Sequence, residues 1–211
     1  MSRVPEHLRV QPDSPDAAVI RKAAEMVRRG LVVAYPTDTL YGLAVDPRNP
    51  DAVRRLYELK GRPESSALTL IAADVEQAGS AGQFGATAAR LAAHCWPGPV
   101  TIVVTASSMV AREILAGGAT VGIRVPDHAV AVALAREVGF CVTATSANRS
   151  GAAAAATPEA VLAALPDVDA ILDAGPSRGG APSTIVRADQ DDVTLIRAGA
   201  VPWERVLESL Q

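Results

Sequence analysis

The polar stretch from Thr37 to Thr39 has the residue types of a ligand-binding loop. Two threonine hydroxyls flank the Asp38 carboxylate, directly after the short apolar run 31–35. Such a run, bounded by glycine and proline, predicts a buried strand. In open α/β sheets, ligands bind at the carboxyl ends of strands, which is where this loop stands. The alternative is a capped loop in which these side chains only satisfy local backbone groups.

A second set of polar residues carries positive charge. Lys60 and Arg62 are separated by one glycine, at the end of a predicted helix and the start of an extended segment. Two cations at that spacing in an extended chain lie on one face. A lysine point charge beside a forked arginine suits a polyphosphate. The alternative is a solvated helix end, where cations interact favourably with the helix dipole.

Residues 145–151 form a second polar loop after a predicted strand. The amide of Asn148 can read the edge of a base or a ribose. Ser150 and Gly151 suit a turn whose exposed backbone N–H groups bind an anion. The alternative is an ordinary turn held by serine and threonine side chains.

Further polar residues stand at predicted strand ends. Arg124 lies near the end of a buried strand, where a cation needs a partner. Either a substrate carboxylate or a structural aspartate would serve. Ser183 and Thr184 begin a strand after a glycine-rich stretch, and Arg197 closes the last predicted strand. Small polar groups and cations therefore recur at strand ends along the chain.

The elements that must position these residues alternate between strands and helices, which predicts an α/β fold. Strands 184–187 and 193–197 are joined without a helix. We therefore expect a mixed sheet with parallel and antiparallel neighbours and flanking helices. We expect one domain over residues 14–211, preceded by a flexible polar arm over residues 1–13.

Composition narrows the function classes. The 211 residues are 49% hydrophobic and 20% charged, with a net charge of −3. These values are typical of a globular protein and argue against a strongly basic face for nucleic acid. Cys95 and Cys141 predict two buried, reduced thiols. Neither a signal peptide nor a membrane-spanning run is evident, so we expect a cytoplasmic protein without membrane association.

Familiar nucleotide-binding and hydrolase motifs are not found in the sequence. It contains no P-loop, no GxGxxG before a helix and no GxSxG elbow. The three histidines, His7, His94 and His128, show no metal-ligand spacing. The residues alone therefore predict an α/β protein with an anion-binding cleft, without indicating its reaction.

A series of short motifs, taken together and in order, resembles the YrdC-like threonylcarbamoyl-AMP synthase family. The motifs are PTDTLYG at 36–42, KGRP at 60–63, WPGPVT at 96–101, VGIRVP at 121–126, TSANRSG at 145–151, PSTIV at 182–186 and LIRAG at 195–199. The resemblance implies a single-domain YrdC-like fold, in which a twisted sheet surrounds a large, positively lined cleft.

The resemblance also implies a reaction. L-threonine, bicarbonate and ATP would give L-threonylcarbamoyl-AMP and pyrophosphate, and the product would feed modification of the tRNA adenosine beside the anticodon. Tightly placed cations, with Mg²⁺ accompanying ATP, would stabilise the charge that develops on the phosphates. No general base is evident, so catalysis would act mainly through positioning and electrostatics. Other tRNA-modification proteins would be its partners.

The resemblance assigns site residues motif by motif. Threonine would be held by Thr39, Arg124, Ser146 and Ser183, with Tyr41 shaping the pocket floor. ATP would be held by Arg62, Ser66, Thr120, Asn148, Thr157 and Arg197, with Lys60 beside Arg62 against the phosphates. Lys60 and Arg62 would be the catalytic pair. The chain departs from the family pattern at Ser66, where many members have asparagine, and at Ile71, which replaces a histidine.

Two other functions stay open. The cleft could belong to a non-catalytic RNA-binding module, or to a paralogue that acts on another substrate. The net charge of −3 counts against an RNA module, because phosphate-dominated affinity needs a cationic face. Weak RNA binding beside the enzymatic activity is a lesser expectation. Pyrophosphate release that requires both threonine and bicarbonate would discriminate among these functions.

Overall fold

The computed structural model describes residues 4–188 and 192–210, in which short strands alternate with helices. The strands are β1 Glu6–Arg9, β2 Val33–Tyr35, β3 Gly42–Ala44, β4 Thr69–Ile71, β5 Gly82–Gln83, β6 Val100–Ala106, β7 Thr120–Arg124, β8 Val142–Thr143, β9 Thr145–Ser146, β10 Ala170–Asp173, β11 Thr184–Ala188 and β12 Val193–Arg197. The α-helices are α1 Ala17–Arg28, α2 Pro50–Lys60, α3 Val75–Ala81, α4 Ala86–Cys95, α5 Ala129–Val138, α6 Pro158–Ala164 and α7 Trp203–Glu208. The predicted α/β class is confirmed.

The strands divide between two mixed sheets. One has the order β1-β10-β2-β3-β9, and the other has the order β12-β11-β6-β7-β4-β8, with β5 pairing on β6. In the first sheet β10 runs parallel to β1 and β2, whereas β3 is antiparallel to β2 and β9. In the second, β6 is parallel to β11 and antiparallel to β7. Mixed pairing was predicted and is confirmed, whereas the division into two sheets was not foreseen.

Aliphatic side chains fill two cores. The larger one includes Leu43, Leu56 and Ile123, none of which is accessible to solvent. The smaller one packs α1 against α5 over the first sheet. Burying each such side chain contributes about 1.5–3 kcal/mol to folding. Both cysteines are free thiols as predicted, although Cys95 is only half-buried whereas Cys141 is buried.

Helix α2 places the predicted cation pair. Its N-cap, Asn49, accepts hydrogen bonds from the backbone N–H groups of Asp51 and Ala52, with proline at the first helical position. The helix ends at Gly61, whose φ of 58° lies in the left-handed region that glycine adopts most readily. Lys60 is therefore the last helical residue, and Arg62 begins the extended segment.

Strand β2 and its polar loop differ slightly from the predicted run 31–35. The strand starts at Val33, because the Val32 N–H donates to Asp169 Oδ2 at 2.8 Å instead of joining the ladder. The chain then returns as β3, which the sequence interpretation treated as loop. A Cβ at Gly42 would lie 3.1 Å from Tyr35 Cζ, so this close cross-strand approach favours a glycine.

The prediction of a flexible arm over residues 1–13 is wrong for residues 6–9. These form β1, which pairs in parallel with β10 at the edge of the first sheet. The pairing satisfies the backbone groups that face β10, and Leu8 and Val10 are buried. Alternation over only four residues is too short to predict a strand that pairs with the far end of the chain. Residues 1–3 lie outside the described residues.

Candidate active site

The ends of strands from both sheets surround a cavity of about 770 Å³, a volume that includes its open mouth. The loop between β2 and β3 forms one wall, β9 another, and the ends of β7, β11 and β12 a third. The lining residues are Tyr35, Thr37, Thr39, Leu40, Tyr41, Gly42, Arg62, Ala67, Leu68, Thr69, Arg124, Ala144, Thr145, Ser146, Pro182, Ser183, Ile185 and Arg197. The cavity therefore brings together seven of the predicted site residues: Thr39, Tyr41, Arg62, Arg124, Ser146, Ser183 and Arg197.

Arg124, at the end of β7, is held by a buried carboxylate. Its Nη1 donates to Asp38 Oδ1 at 2.6 Å. Asp38 Oδ2 is buried and has no hydrogen-bond partner in the described part of the chain. The structural aspartate considered from the sequence is thus present, and the guanidinium still lines the cavity.

The polar loop after β2 is stabilised by its own threonines. Thr37 Oγ1 donates to the Leu40 carbonyl at 2.7 Å and lies 3.1 Å from Thr39 Oγ1. Tyr41 is buried and donates its hydroxyl proton to the Gly175 carbonyl at 2.7 Å, and burial raises its pKa. Thr37 therefore satisfies a local backbone group, as in the alternative of a capped loop. Thr39 and Tyr41 line the cavity.

Lys60 lies behind the cavity wall. Its ammonium is buried and donates to the backbone carbonyls of Ser146 and Asn148, the latter at 2.7 Å. The Lys60 carbonyl in turn accepts from the Ser150 N–H at 2.8 Å. Burial, and secondarily the charge of Arg62, lower the pKa of Lys60 to about 8. The structure therefore uses Lys60 to hold the loop after β9.

The side chain of Asn148 also ties this loop together. Its Nδ2 donates to the Ala152 carbonyl at 2.6 Å, and its Oδ1 accepts from Ser146 Oγ at 2.5 Å. Asn148 is 6% exposed, so its amide is engaged internally. Ser146 is a lining residue with its hydroxyl oriented by Asn148.

Arg62 reaches the cavity from the other side of the α2 terminus. Its Nη2 donates to the Ala67 carbonyl at 2.9 Å, which directs the guanidinium along the wall. The carbonyl of Ser66 accepts from Tyr57 Oη at 2.9 Å, which stabilises the turn after α2. Ser66 belongs to that turn and is not among the lining residues.

Ser183 and Arg197 form a hydrogen-bonded pair at the third wall. Arg197 Nη2 donates to the Ser183 carbonyl at 2.7 Å and approaches its hydroxyl oxygen at 3.3 Å. Burial, and secondarily the charge of Arg124, lower the pKa of Arg197. The positive charge of Arg124 thus disfavours the charged form of Arg197, and a bound anion would offset this repulsion.

Thr120 and Thr157 are not brought to this cavity. Thr120 begins β7, at the opposite end of the strand from Arg124, and lines a second cavity of about 1020 Å³ that also opens to solvent. Thr157 is the N-cap of α6, and its hydroxyl accepts from the Ala160 N–H at 3.2 Å. Their hydroxyls therefore lie apart from the residues that meet at the first cavity.

Sequence reasoning gave no role to Asp38 beyond its loop, nor to Thr101, whose hydroxyl lies 2.9 Å from Ser183 Oγ. The contact between Asp38 and Arg124 and the contact between Thr101 and Ser183 each join distant parts of the chain. The sequence did carry one usable signal, because Thr101 interrupts an apolar run in a buried strand, and such a hydroxyl needs a partner.

Comparison with known proteins places the chain in a family. The family model Sua5_yciO_yrdC, described as "Telomere recombination", matches residues 25–199. The chain belongs to the Sua5/YciO/YrdC family. This membership confirms the family resemblance drawn from the seven motifs.

Relatives in this family are similar over most of the chain. The threonylcarbamoyl-AMP synthase of Bacillus subtilis is 37% identical over 190 residues, which are 89% of this chain and 55% of the relative. Pyrococcus abyssi Sua5 complexed with L-threonine superposes with a TM-score of 0.91 at 32% identity, covering 99% of this chain and 61% of that protein. Escherichia coli YciO has a TM-score of 0.83 at 28% identity, covering 92% and 96%. The chain thus spans little more than half the length of the first two.

The described residues offer neither a metal cluster nor a membrane span. No group of three or more His, Cys, Asp or Glu side chains within residues 4–188 and 192–210 could hold a metal ion. No helix in the same ranges has the length and apolar character needed to cross a membrane.

Proposed function

We propose that this protein joins L-threonine, bicarbonate and ATP into L-threonylcarbamoyl-AMP and releases pyrophosphate. The observation that carries the proposal is the meeting of three cations and three hydroxyls in one cavity, formed by Arg62, Arg124, Arg197, Thr39, Ser146 and Ser183. The Bacillus subtilis synthase and the threonine complex of Pyrococcus abyssi Sua5 support the choice of reaction and of amino acid.

In this proposal, Arg124 binds the carboxylate of threonine. One side of its guanidinium is occupied by Asp38, which leaves further N–H groups for a second carboxylate. The hydroxyls of Thr39, Ser146 and Ser183 surround the remaining polar groups of the amino acid. A guanidinium surrounded by neutral hydroxyl groups therefore matches the carboxylate end of the amino acid.

The chemistry proceeds in two bond-forming steps. The threonine ammonium first gives up one proton to water, and the free amine then attacks the carbon of bicarbonate. A C–N bond forms and one water molecule leaves, which gives a carbamate. A carbamate oxygen then attacks the α-phosphorus of ATP, and the bond from that phosphorus to the β-phosphate bridging oxygen breaks. Pyrophosphate leaves with the bonding electrons. Arg62 and Arg197 stabilise the negative charge on these phosphates.

Lys60 supports this arrangement from behind. Its ammonium donates to the carbonyls of Ser146 and Asn148, so we propose that Lys60 contributes to the reaction by holding this loop in position. Its positive charge, in the low dielectric of a buried site, also acts on nearby anions. Lys60 therefore belongs to the catalytic machinery through the loop, while Arg62 contacts the phosphates directly.

Mg²⁺ fits this proposal as a companion of ATP. The buried carboxylate nearest Arg124, Asp38, is already engaged by that arginine, and the described residues provide no metal cluster. Magnesium commonly binds through substrate phosphates and retains water ligands. It would supply additional positive charge at the phosphates.

The cellular setting follows from the product. A threonylcarbamoyl adenylate must be passed to an enzyme that modifies tRNA adenosine, so we propose tRNA-modification proteins as partners and the cytoplasm as the location. Direct RNA contact would be weak, given the net charge of −3.

Mass spectrometry of the reaction mixture tests the proposal. Purified protein with threonine, bicarbonate, ATP and Mg²⁺ should give threonylcarbamoyl-AMP, and pyrophosphate release should require both threonine and bicarbonate. Pyrophosphate release without threonine, or with another amino acid in its place, would identify a paralogue with a different substrate. RNA binding without any adenylate formation would favour the non-catalytic module.

A further inference from the structure

The hydroxyl of Ser183 is contacted from two sides within the protein. Thr101 Oγ1 lies 2.9 Å from Ser183 Oγ, and Arg197 Nη2 lies 3.3 Å from it. A serine hydroxyl has one proton and two lone pairs, and therefore three hydrogen-bonding directions. Two of these directions are taken up by Thr101 and Arg197, so one remains for the cavity that Ser183 lines.

The side chain of Thr101 is itself fixed in one orientation. The residue is 2% exposed and lies in β6, where it pairs in register with Ile185 of β11. Its methyl group lies over Gly122 of β7, where an added Cβ would come within 2.9 Å of Thr101 Cγ2. Because β-branched side chains have restricted rotamers, placing the methyl over Gly122 directs the hydroxyl to Ser183.

The backbone around Ser183 is held independently of Thr101. The Ala200 N–H donates to the Pro182 carbonyl at 2.8 Å, and Thr184 Oγ1 donates to the Val201 carbonyl at 2.6 Å. A Cβ at Gly199 would lie 2.3 Å from the Pro182 carbonyl oxygen, so these segments are in close contact. Because the backbone is held in place, the Ser183 hydroxyl can still rotate, and the hydrogen bond with Thr101 restricts this rotation.

We propose that Thr101 is a positioning residue for the amino-acid substrate, which it serves by setting the hydrogen-bonding direction of the Ser183 hydroxyl. The inference rests on the proposed function for the identity of that substrate. Thr101 is not a lining residue of the cavity, so it acts through Ser183. Losing its hydroxyl should weaken amino-acid binding while leaving the binding of ATP nearly unchanged.

Two substitutions at this position separate the hydroxyl from the shape of the side chain. Thr101→Val keeps the β-branched shape and the methyl over Gly122 but removes the hydroxyl. Thr101→Ser keeps the hydroxyl and removes the methyl. Thr194→Val on β12, an exposed position outside the cavity lining, is the matched control for exchanging threonine for valine in a strand.

Calorimetry with L-threonine alone provides the first measurement. Thr101→Val should bind threonine about threefold to tenfold more weakly, the scale of one hydrogen bond between neutral groups. Thr194→Val should stay within about twofold of wild type, less than that scale, and Thr101→Ser, which keeps the hydroxyl without the methyl that directs it, should fall between wild type and Thr101→Val. In turnover, Thr101→Val should raise KM for threonine and leave KM for ATP within the same twofold range.

Several outcomes would overturn the inference. It is wrong if Thr101→Val binds threonine as wild type does, or if Thr101→Ser is as impaired as Thr101→Val. Equal increases in KM for threonine and ATP, together with a lower melting temperature, would indicate a purely structural role. If wild-type protein binds threonine but forms no threonylcarbamoyl-AMP, the proposed reaction fails, while the calorimetric comparison still decides the role of Thr101.

Discussion

Arg124 and Asp38 form a buried ion pair that joins the two sheets, in which Arg124 Nη1 lies 2.6 Å from Asp38 Oδ1. The two residues are 86 positions apart in the sequence. Their side chains are 7% and 4% exposed. At that depth water cannot replace a missing partner, so each charge depends on the other. The pair attaches the end of β7 to the loop between β2 and β3, and it fixes the guanidinium at the cavity wall.

Removing the carboxylate should destabilise the fold. Asp38→Ala leaves the Arg124 charge buried without its partner, and we expect the free energy of unfolding to fall by about 3–5 kcal/mol. Urea unfolding measures it, with Asp13→Ala at an exposed position as the control. The double variant Asp38→Ala, Arg124→Met should lose less than the sum of the single variants. An additive result would mean that the two charges do not depend on each other.

Arg124 should select the carboxylate of the substrate. Wild-type protein should bind threonine much more tightly than threonine amide, and Arg124→Lys should not restore wild-type binding of threonine because an ammonium cannot make the bidentate contact. Calorimetry with both ligands measures the preference. Equal affinity of wild type for the acid and the amide would remove Arg124 from the proposed carboxylate site.

Arg62 should contribute mainly to the transition state. Its guanidinium is a half-exposed lining group, so Arg62→Ala should fold normally and slow pyrophosphate release by about 10²-fold or more, on the scale of losing one electrostatic contact. Arg112→Ala is the control, because Arg112 is an exposed arginine outside the cavity lining. Turnover of Arg62→Ala within about twofold of wild type would be far below that scale and would contradict the assignment.

Lys60 should make stability depend on pH. Its folded pKa is lowered to about 8 from an ordinary value of 10.5, first by burial and then by Arg62. Between those two pH values the unfolded chain binds more protons than the folded chain, so stability from this residue rises with pH through that window. Below pH 8 Lys60 is protonated in both the folded and the unfolded chain, so the full free-energy cost of burying its charge lowers the stability of the fold.

Comparison with Lys60→Met isolates this effect. The free energy of unfolding of wild type should increase relative to Lys60→Met between pH 8 and pH 10, by at most about 1.4 kcal/mol for each unit of pH. Lys22→Met, at an exposed position, should run parallel to wild type over the same range. If Lys60→Met also ran parallel, the ammonium would not be desolvated as the structure indicates.

The sequence predicted those features that depend on neighbouring residues. The end of α2 at Gly61 and its N-cap at Asn49 are local, so the positions of Lys60 and Arg62 followed from them. Polar residues at strand ends were also recognisable, because the ends of apolar runs and the neighbouring glycine or proline residues mark where strands stop. Together with the family resemblance, these signals pointed to seven of the residues that line the cavity.

Contacts between distant segments could not be predicted in this way. The carbonyls that accept hydrogen bonds from the Lys60 ammonium belong to residues more than 80 positions away, so no local pattern in the sequence predicts these contacts. The amide of Asn148 donates to the backbone carbonyls of Arg149 and Ala152 in its own turn, and the residue type alone does not predict these partners. Which partner a polar side chain meets depends on tertiary packing rather than residue type.

The insertion of β10 between β1 and β2 has a consequence for synthesis of the protein. On the ribosome, β1 and β2 emerge early, yet neither has its parallel neighbour until residues 170–173 have left the exit tunnel. Such non-local pairing raises contact order and slows folding, and meanwhile the nascent strands have open edges that invite aggregation. The loop with Thr37 and Asp38 extends from β2, so the amino-acid pocket is completed only after residues 170–173 have been translated.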